Sequence, residues 1–178
     1  MNLKTVKKMS ENRGLIHIIT GDGKGKTTAA TGLAARAKGA GFSVLFLQFL
    51  KGRPSGEVKS LEKLDIPVYR GEVKKFVLNM TDSEKEECKK SQNECFNIAK
   101  NGNFDMIVFD ELAGALATGM LFEQDVLEFL DLNKETEIVM TGRGFPEKLI
   151  EKADYISEIK AVRHPYDKGI PARKGIEF

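Results

Sequence analysis

The chain has 178 residues, of which 41% are hydrophobic and 30% charged, and its net charge is +2. That length suits one soluble domain with a full core, and so small a net charge gives no reason to expect nucleic acid or a membrane surface as a partner. Cys88 and Cys95 form neither a metal motif nor a disulfide framework, and with no signal-peptide pattern or long apolar run the expected location is a reducing cytoplasm.

Residues 1–13 are polar and basic and are expected to form a flexible N-terminal segment. Leu3, Val6 and Met9, three residues apart, would equally suit a short amphipathic helix that folds over a site. A single domain is expected over 14–178, because no repeat or linker interrupts it. Leu15-Ile16-His17-Ile18-Ile19 reads as a short buried strand, with His17 a packed, hydrogen-bonded residue rather than a ligand. Then comes Thr20-Gly21-Asp22-Gly23-Lys24-Gly25-Lys26-Thr27-Thr28, followed by a helix from Lys26 to about Lys38, rich in small residues and ended by Gly39 and Gly41.

Strand, glycine loop and helix in that order are the setting of a phosphate loop. Glycines let backbone N–H groups curl around phosphate oxygens, and the helix start adds the positive end of its dipole. Gly21, Asp22, Gly23, Lys24, Gly25, Lys26, Thr27 and Thr28 are therefore the expected nucleotide contacts. Lys26 would reach the terminal phosphates, and the Thr27 hydroxyl would ligate Mg²⁺. The fit to G-x-x-x-x-G-K-[ST] is imperfect, because Thr20 stands where the first glycine belongs and Gly21 comes one place late.

Ser43 to Leu50 is a second continuous apolar run, as in a parallel strand covered on both faces. Gln48, Lys51 and Arg53 fall at its C-terminal end, where open α/β sheets place ligands; a solvated loop is the equal alternative. Glu57 to Leu64 reads as a short helix and Ile66 to Arg70 as a short strand. Within residues 71–80, Phe76, Val77 and Leu78 cluster in what should be a loop, either as a binding surface or as a plug for the core. Thr81-Asp82-Ser83-Glu84 is a capping box that opens a helix to about Lys100, with Cys88, Cys95, Phe96, Ile98 and Ala99 on its buried stripe.

Phe104 to Glu111 is a strand whose apolar run ends in two carboxylates. In phosphate-loop proteins this is where the Mg²⁺-associated acid sits, so Thr27, Asp110 and Glu111 are the expected metal group; a helix cap for the next segment is the other reading. Leu112 to Leu121 and Gln124 to Leu132 are expected helices, broken near Gly119. Glu137 to Thr141 is a buried strand leading to Arg143, which would touch the triphosphate or pair with a surface acid. Pro146 to Lys152 fits a short helix, Tyr155 to Val162 an alternating edge strand, and the rest a basic, turn-rich tail.

Together, residues 20–30, Gln48-Phe49-Leu50-Lys51-Gly52, Asp110-Glu111-Leu112, Thr141-Gly142-Arg143-Gly144, and the ending His164 to Gly169 with Lys174 to Phe178 resemble the phosphate-loop ATP:cob(I)alamin adenosyltransferases. The resemblance implies a three-layer RecA-like α/β fold with a mostly parallel sheet, and a homodimer. It implies ATP as co-substrate, Mg²⁺, a corrinoid substrate, and an electron-donor protein such as a flavodoxin. The 5′-deoxyadenosyl group of ATP would move onto Co(I), releasing triphosphate. Co(I) is itself a strong nucleophile, so the chain's work would be to position C5′ and stabilise the departing triphosphate. Lys24, Lys26, Thr27, the loop amides and Mg²⁺ are implied in that role. The nucleotide is implied to lie in the loop in the reverse sense from ordinary phosphate-loop proteins, a reversal to which Thr20 is suited.

Phe76 falls where the family uses a bulky aromatic to displace the lower axial ligand of cobalt, and it joins Lys26 and Thr27 as an implied catalytic residue. Leu78 stands where a second aromatic is expected, and the chain has no tryptophan. Two rival readings share these motifs: a phosphate-loop kinase or NTPase, and a non-catalytic nucleotide or corrinoid binding module.

Overall fold

The computed structural model describes residues 13–178, so the expected N-terminal segment lies, but for Arg13, outside the described residues. The elements, in chain order, are β1 (Ile16–Thr20), α1 (Lys26–Gly39), β2 (Val44–Gln48), α2 (Gly56–Glu62), β3 (Val68–Arg70), α3 (Asp82–Asn101), β4 (Met106–Asp110), α4 (Leu112–Ala117), α5 (Glu123–Leu132), β5 (Glu137–Thr141), α6 (Glu147–Lys152) and β6 (Tyr155–Glu158). Short 3₁₀ turns lie at Val77–Asn79 and Pro165–Lys168.

The six strands of the described residues form one sheet in the order β3-β2-β4-β5-β1-β6. Every pairing is parallel, so the sheet is wholly parallel where the sequence implied mostly parallel. The continuous apolar runs follow from this, since parallel strands are covered on both faces. On one face Leu45, Leu47, Ile107, Phe109 and Met140 pack on Cys95 and Phe96 of α3 and Phe129 of α5. On the other, Val44, Phe46, Val108 and Val139 meet Ala30 and Ala34 of α1 and Leu61 of α2. The two fully buried alanines, one helical turn apart, bring α1 close to the sheet. The rings of Phe96, Phe109 and Phe129 meet at 5.5–5.6 Å, each contact adding about 0.5–1.5 kcal/mol beyond burial.

One strand, β5, stands between the loop strand β1 and the carboxylate strand β4, which is the RecA-like arrangement. Register pairs Gln48 with Asp110 and Ile19 with Thr141. The C-terminal ends of β1, β2, β4 and β5 are thereby level and make one rim, where ligands of open α/β sheets bind.

Several local expectations hold. The capping box at Thr81 is complete, with Thr81 and Glu84 each satisfying the other's backbone N–H. His17 is bonded to Glu137 and stacks on Tyr155 at 4.6 Å, as a packed histidine should. Cys88 and Cys95 are buried on α3, where burial pushes the Cys95 thiol up to about 12. Other expectations change. β2 stops at Gln48, because Leu50 turns into left-handed backbone (φ 54°). β6 is an edge strand of four residues, all exposed, so its alternation does not mark a buried face. The plug reading of residues 76–78 is excluded: Phe76 is 78% and Leu78 91% exposed, and only Val77 reaches the core.

Candidate active site

The glycine loop joins β1 to α1 at the rim. Gly21 (φ 99°) and Gly25 (φ 123°) adopt backbone that other residues rarely take. A Cβ on Gly21 would stand 2.4 Å from the Ile159 carbonyl oxygen, and one on Gly23 would stand 2.7 Å from it. The Gly23 N–H donates to that same oxygen at 2.7 Å. Gly21 and Gly23 thus have a second reason to be glycine, the chain leaving β6, and the Gly23 amide is already paired with Ile159. Thr20, where the motif has glycine, is the last residue of β1 and accepts from the Ile159 N–H through its carbonyl.

Lys26, the first residue of α1, folds back into the loop and donates to the carbonyls of Gly21 (2.6 Å) and Gly23 (2.9 Å). Burial lowers its pKa, and the nearby Arg143 guanidinium adds to this. Arg143 donates to the Asp22 carbonyl at 3.2 Å and pairs with its carboxylate at 3.7 Å, so it braces the loop. Lys24 and Thr28 are exposed at the loop's surface.

Asp110 is the centre of the rim, with no exposed surface. Its Oδ1 accepts from the hydroxyls of Thr27 (2.9 Å) and Thr141 (2.7 Å). Its Oδ2 accepts from Gln48 (3.1 Å) and Lys51 (2.6 Å). α1, β2, β5 and the loop after β2 therefore converge on one carboxylate. Glu57 of α2 extends the cluster, accepting from Gln48 at 2.9 Å and Lys51 at 3.3 Å. Burial opposes the charge on Lys51, but the Asp110 carboxylate outweighs it and raises the ammonium's pKa.

Neighbouring Glu111 sits in left-handed backbone (φ 61°), a costly conformation for this residue type. Its N–H donates to the Thr141 hydroxyl at 3.0 Å. Burial, then the charge of Asp110, raises the pKa of its carboxyl. Glu111 immediately precedes α4, but its side chain makes no cap bond, and the Asp110 carboxylate is committed elsewhere. The helix-cap alternative for this pair therefore fails.

Lys51 is aimed by its backbone. Leu50, in left-handed conformation, donates its N–H to Gln92 Oε1 at 3.1 Å, and Gln92 is fully buried on α3. Gln92 also donates to the Glu72 carbonyl at 3.1 Å.

Of the residues marked from sequence, Lys26, Thr27, Gln48, Lys51, Asp110 and Glu111 come together, and Arg143 joins through the loop. Arg53 does not join: its carbonyl accepts from Arg70, and its side chain is exposed. Phe76 is tied to the site through its own segment, whose Val73 packs against Gly52. Thr141, Glu57, Gln92 and Ile159 were missed. Thr141 stands in a resembling stretch but with no role marked for it, and Gln92 lies in a polar helix, so neither shows its partner in the sequence. A separate cavity of about 380 Å³ lies at the opposite end of the sheet, where Arg13–Asp154 and Lys152–Asp131 ion pairs line it.

No cluster of three or more His, Cys, Asp or Glu side chains able to hold a metal occurs among the described residues. Thr27, Asp110 and Glu111 instead offer hard oxygens in a set too small to hold a cation unaided. That suits Mg²⁺, which takes one or two carboxylates and completes its shell with water and phosphate oxygens.

Fold and rim together define a phosphate-loop nucleotide-binding protein of the RecA-like class. The chain belongs to the family described as ATP:corrinoid adenosyltransferase BtuR/CobO/CobP, whose sequence model matches residues 12–178. It is 33% identical over 177 residues to the corrinoid adenosyltransferase of Escherichia coli K12, covering 97% of this chain and 90% of that one. It is 34% identical over 183 residues to corrinoid adenosyltransferase CobA of Salmonella typhimurium, with the same coverage of 97% and 90%. The corrinoid adenosyltransferase of Pseudomonas aeruginosa is 32% identical over 173 residues, covering 94% and 85%.

Proposed function

We propose that this chain is an enzyme that transfers the 5′-deoxyadenosyl group of ATP to the Co(I) of a corrinoid. The C5′–O bond breaks, a Co–C5′ bond forms with the electron pair of Co(I), and triphosphate departs whole. Family membership supports the reaction. The observation that carries the residue assignment is the convergence of Thr27 and Asp110 beside the glycine loop, at 2.9 Å.

The roles follow from chemistry. Lys26 leaves the Gly21 and Gly23 carbonyls for the triphosphate and stabilises its developing charge. Lys24 and Thr28, exposed at the loop's surface, hold the outer phosphate oxygens, with Gly25 giving the backbone room to approach. Asp22 holds Arg143 against the loop. Thr27, Asp110 and Glu111 hold Mg²⁺, which when bound neutralises charge on the leaving group. The loop thus grips a leaving group rather than a phosphate in transit.

Phe76 covers the corrinoid on the exposed side of the 71–80 segment and crowds the lower axial ligand of cobalt, leaving it easier to reduce. The reading extends to a homodimer working in the cytoplasm, with electrons from a donor protein such as a flavodoxin; these points rest on the family resemblance. The test is incubation with ATP, Mg²⁺ and reduced cobalamin. A light-sensitive adenosylcobalamin spectrum supports the reading, and binding of both substrates without that spectrum would replace it with the non-catalytic one.

A further inference from the structure

Lys51 has no assigned part in the chemistry above, yet its ammonium has the most committed position on the rim. Its three N–H donors meet three acceptors: Asp110 Oδ2 at 2.6 Å, Thr27 Oγ1 at 3.1 Å and Glu57 Oε1 at 3.3 Å. The Thr27 hydroxyl spends its hydrogen on Asp110 Oδ1. What it offers outward is lone-pair density, and Lys51 points into it. A divalent cation on Thr27 Oγ1 needs that same density at about 2.1 Å, with the Asp110 carboxylate beside it.

We propose that Lys51 is a tethered counter-cation that competes with the metal: ammonium and divalent cation alternate between Thr27 and Asp110. This rests on the metal role proposed for Thr27 and Asp110. Two like charges so close in a buried site repel strongly, so one must leave when the other enters. Lys51 is built to leave. Its side chain is flexible, it keeps 22% of its surface exposed, and its backbone stays pinned through Leu50 and Gln92. Bare metal then gains little by displacing the ammonium. Metal arriving on a polyphosphate brings negative charge that both favours the exchange and receives the freed ammonium. The enzyme accordingly takes the metal with the nucleotide and not before it, and Lys51 re-neutralises Asp110 when triphosphate departs.

The probe is Mn²⁺, with the free ion counted by its electron paramagnetic resonance signal, on the full chain. Wild-type protein should bind Mn²⁺ alone at least tenfold more weakly than Lys51→Met does. Mn²⁺ alone should raise the melting temperature of Lys51→Met and leave that of the wild type unmoved. Adding Thr27→Ala to Lys51→Met should abolish both gains. Equal Mn²⁺ affinity in wild type and Lys51→Met would overturn the proposal. If Lys51→Met does not fold, the wild type and Thr27→Ala decide: Mn²⁺ binding that Thr27→Ala removes, and that in the wild type is as tight without ATP as with it, overturns the proposal. Failure of the underlying metal reading has a different signature, namely Mn²⁺ binding with ATP that is indifferent to Thr27→Ala, and it would remove the proposal with it.

Discussion

The rim around Asp110 and the segment 71–80 lie on either side of the loop after β2 and are built in opposite ways. At the rim every side chain that reaches Asp110 is spoken for, and the carboxylate has no exposed surface. The segment is held mainly toward its ends, with Val77 alone reaching the core between them. Val73 packs on Gly52, Gln92 and Ser91 bond the backbone of Glu72, Lys75 pairs with Glu84 at 2.8 Å, and Met80 is buried. Between those anchors Phe76 and Leu78 face outward. Such a contrast is expected where one half of a site handles charge and the other an apolar face. Charge stabilisation needs donors fixed in advance, whereas an apolar surface needs only to be presented until a ligand covers it. Stability should therefore fail at the rim, and activity should fail selectively at the segment.

The largest effect is expected at Asp110. Asp110→Ala takes from Lys51 its shortest ion pair and leaves Gln48 with Glu57 alone, and breaking one side of a buried pair costs about 3–5 kcal/mol. The melting temperature should fall by on the order of 10 °C, measured by thermal denaturation. Lys26→Ala should keep the fold but slow Co–C bond formation about 10²–10³-fold, the usual loss for one positioned charge donor. Phe76→Ala should leave the melting temperature within experimental scatter, since exposed substitutions rarely matter to stability. It should cut turnover from Co(II) corrinoid about tenfold, roughly 1.4 kcal/mol, and turnover from pre-reduced Co(I) far less. Equal losses with both would take the aromatic out of cobalt activation.

Smaller effects test the segment's anchor. Thr81→Ala removes the cap of α3 and should cost about 1 kcal/mol, read as a lowered denaturant midpoint. Glu84 has its pKa lowered to about 2 by Lys75 and by Thr81. A carboxyl whose pKa is depressed in the folded state stabilises above its unfolded value of 4.5 and loses that contribution as pH falls toward about 2. Glu84→Gln should therefore flatten the acid limb of the stability profile between those values and leave the rim's behaviour unchanged.

Much of this contrast can be read in the sequence, for physical reasons. Parallel strands covered on both faces write continuous apolar runs, so β1, β2, β4 and β5 announce themselves, with Asp110 closing β4 and Lys26 and Thr27 following the glycine loop after β1. A capping box is local, so Thr81 and Glu84 are visible too. What escapes notice is whatever packing alone brings in. Thr141 reaches Asp110 because β5 lies beside β4, and nothing in Glu137–Thr141 says so. Gln92 looks like a surface residue of a charged helix until α3 is laid against Leu50. Gly23 looks like a residue reserved for phosphate, yet it is the Ile159 carbonyl, far along the chain, that forbids a side chain there. Phe76 was legible as apolar and out of place; its exposure required the fold.

The two halves meet in one product measurement. With reduced cobalamin, ATP and Mg²⁺, the phosphorus-containing products should be counted against the light-sensitive corrinoid formed. One inorganic triphosphate for each adenosylcobalamin, with no ADP, is the expected result. ADP and inorganic phosphate in place of triphosphate would mean that the loop holds a phosphate being transferred and that the chain is a kinase or NTPase.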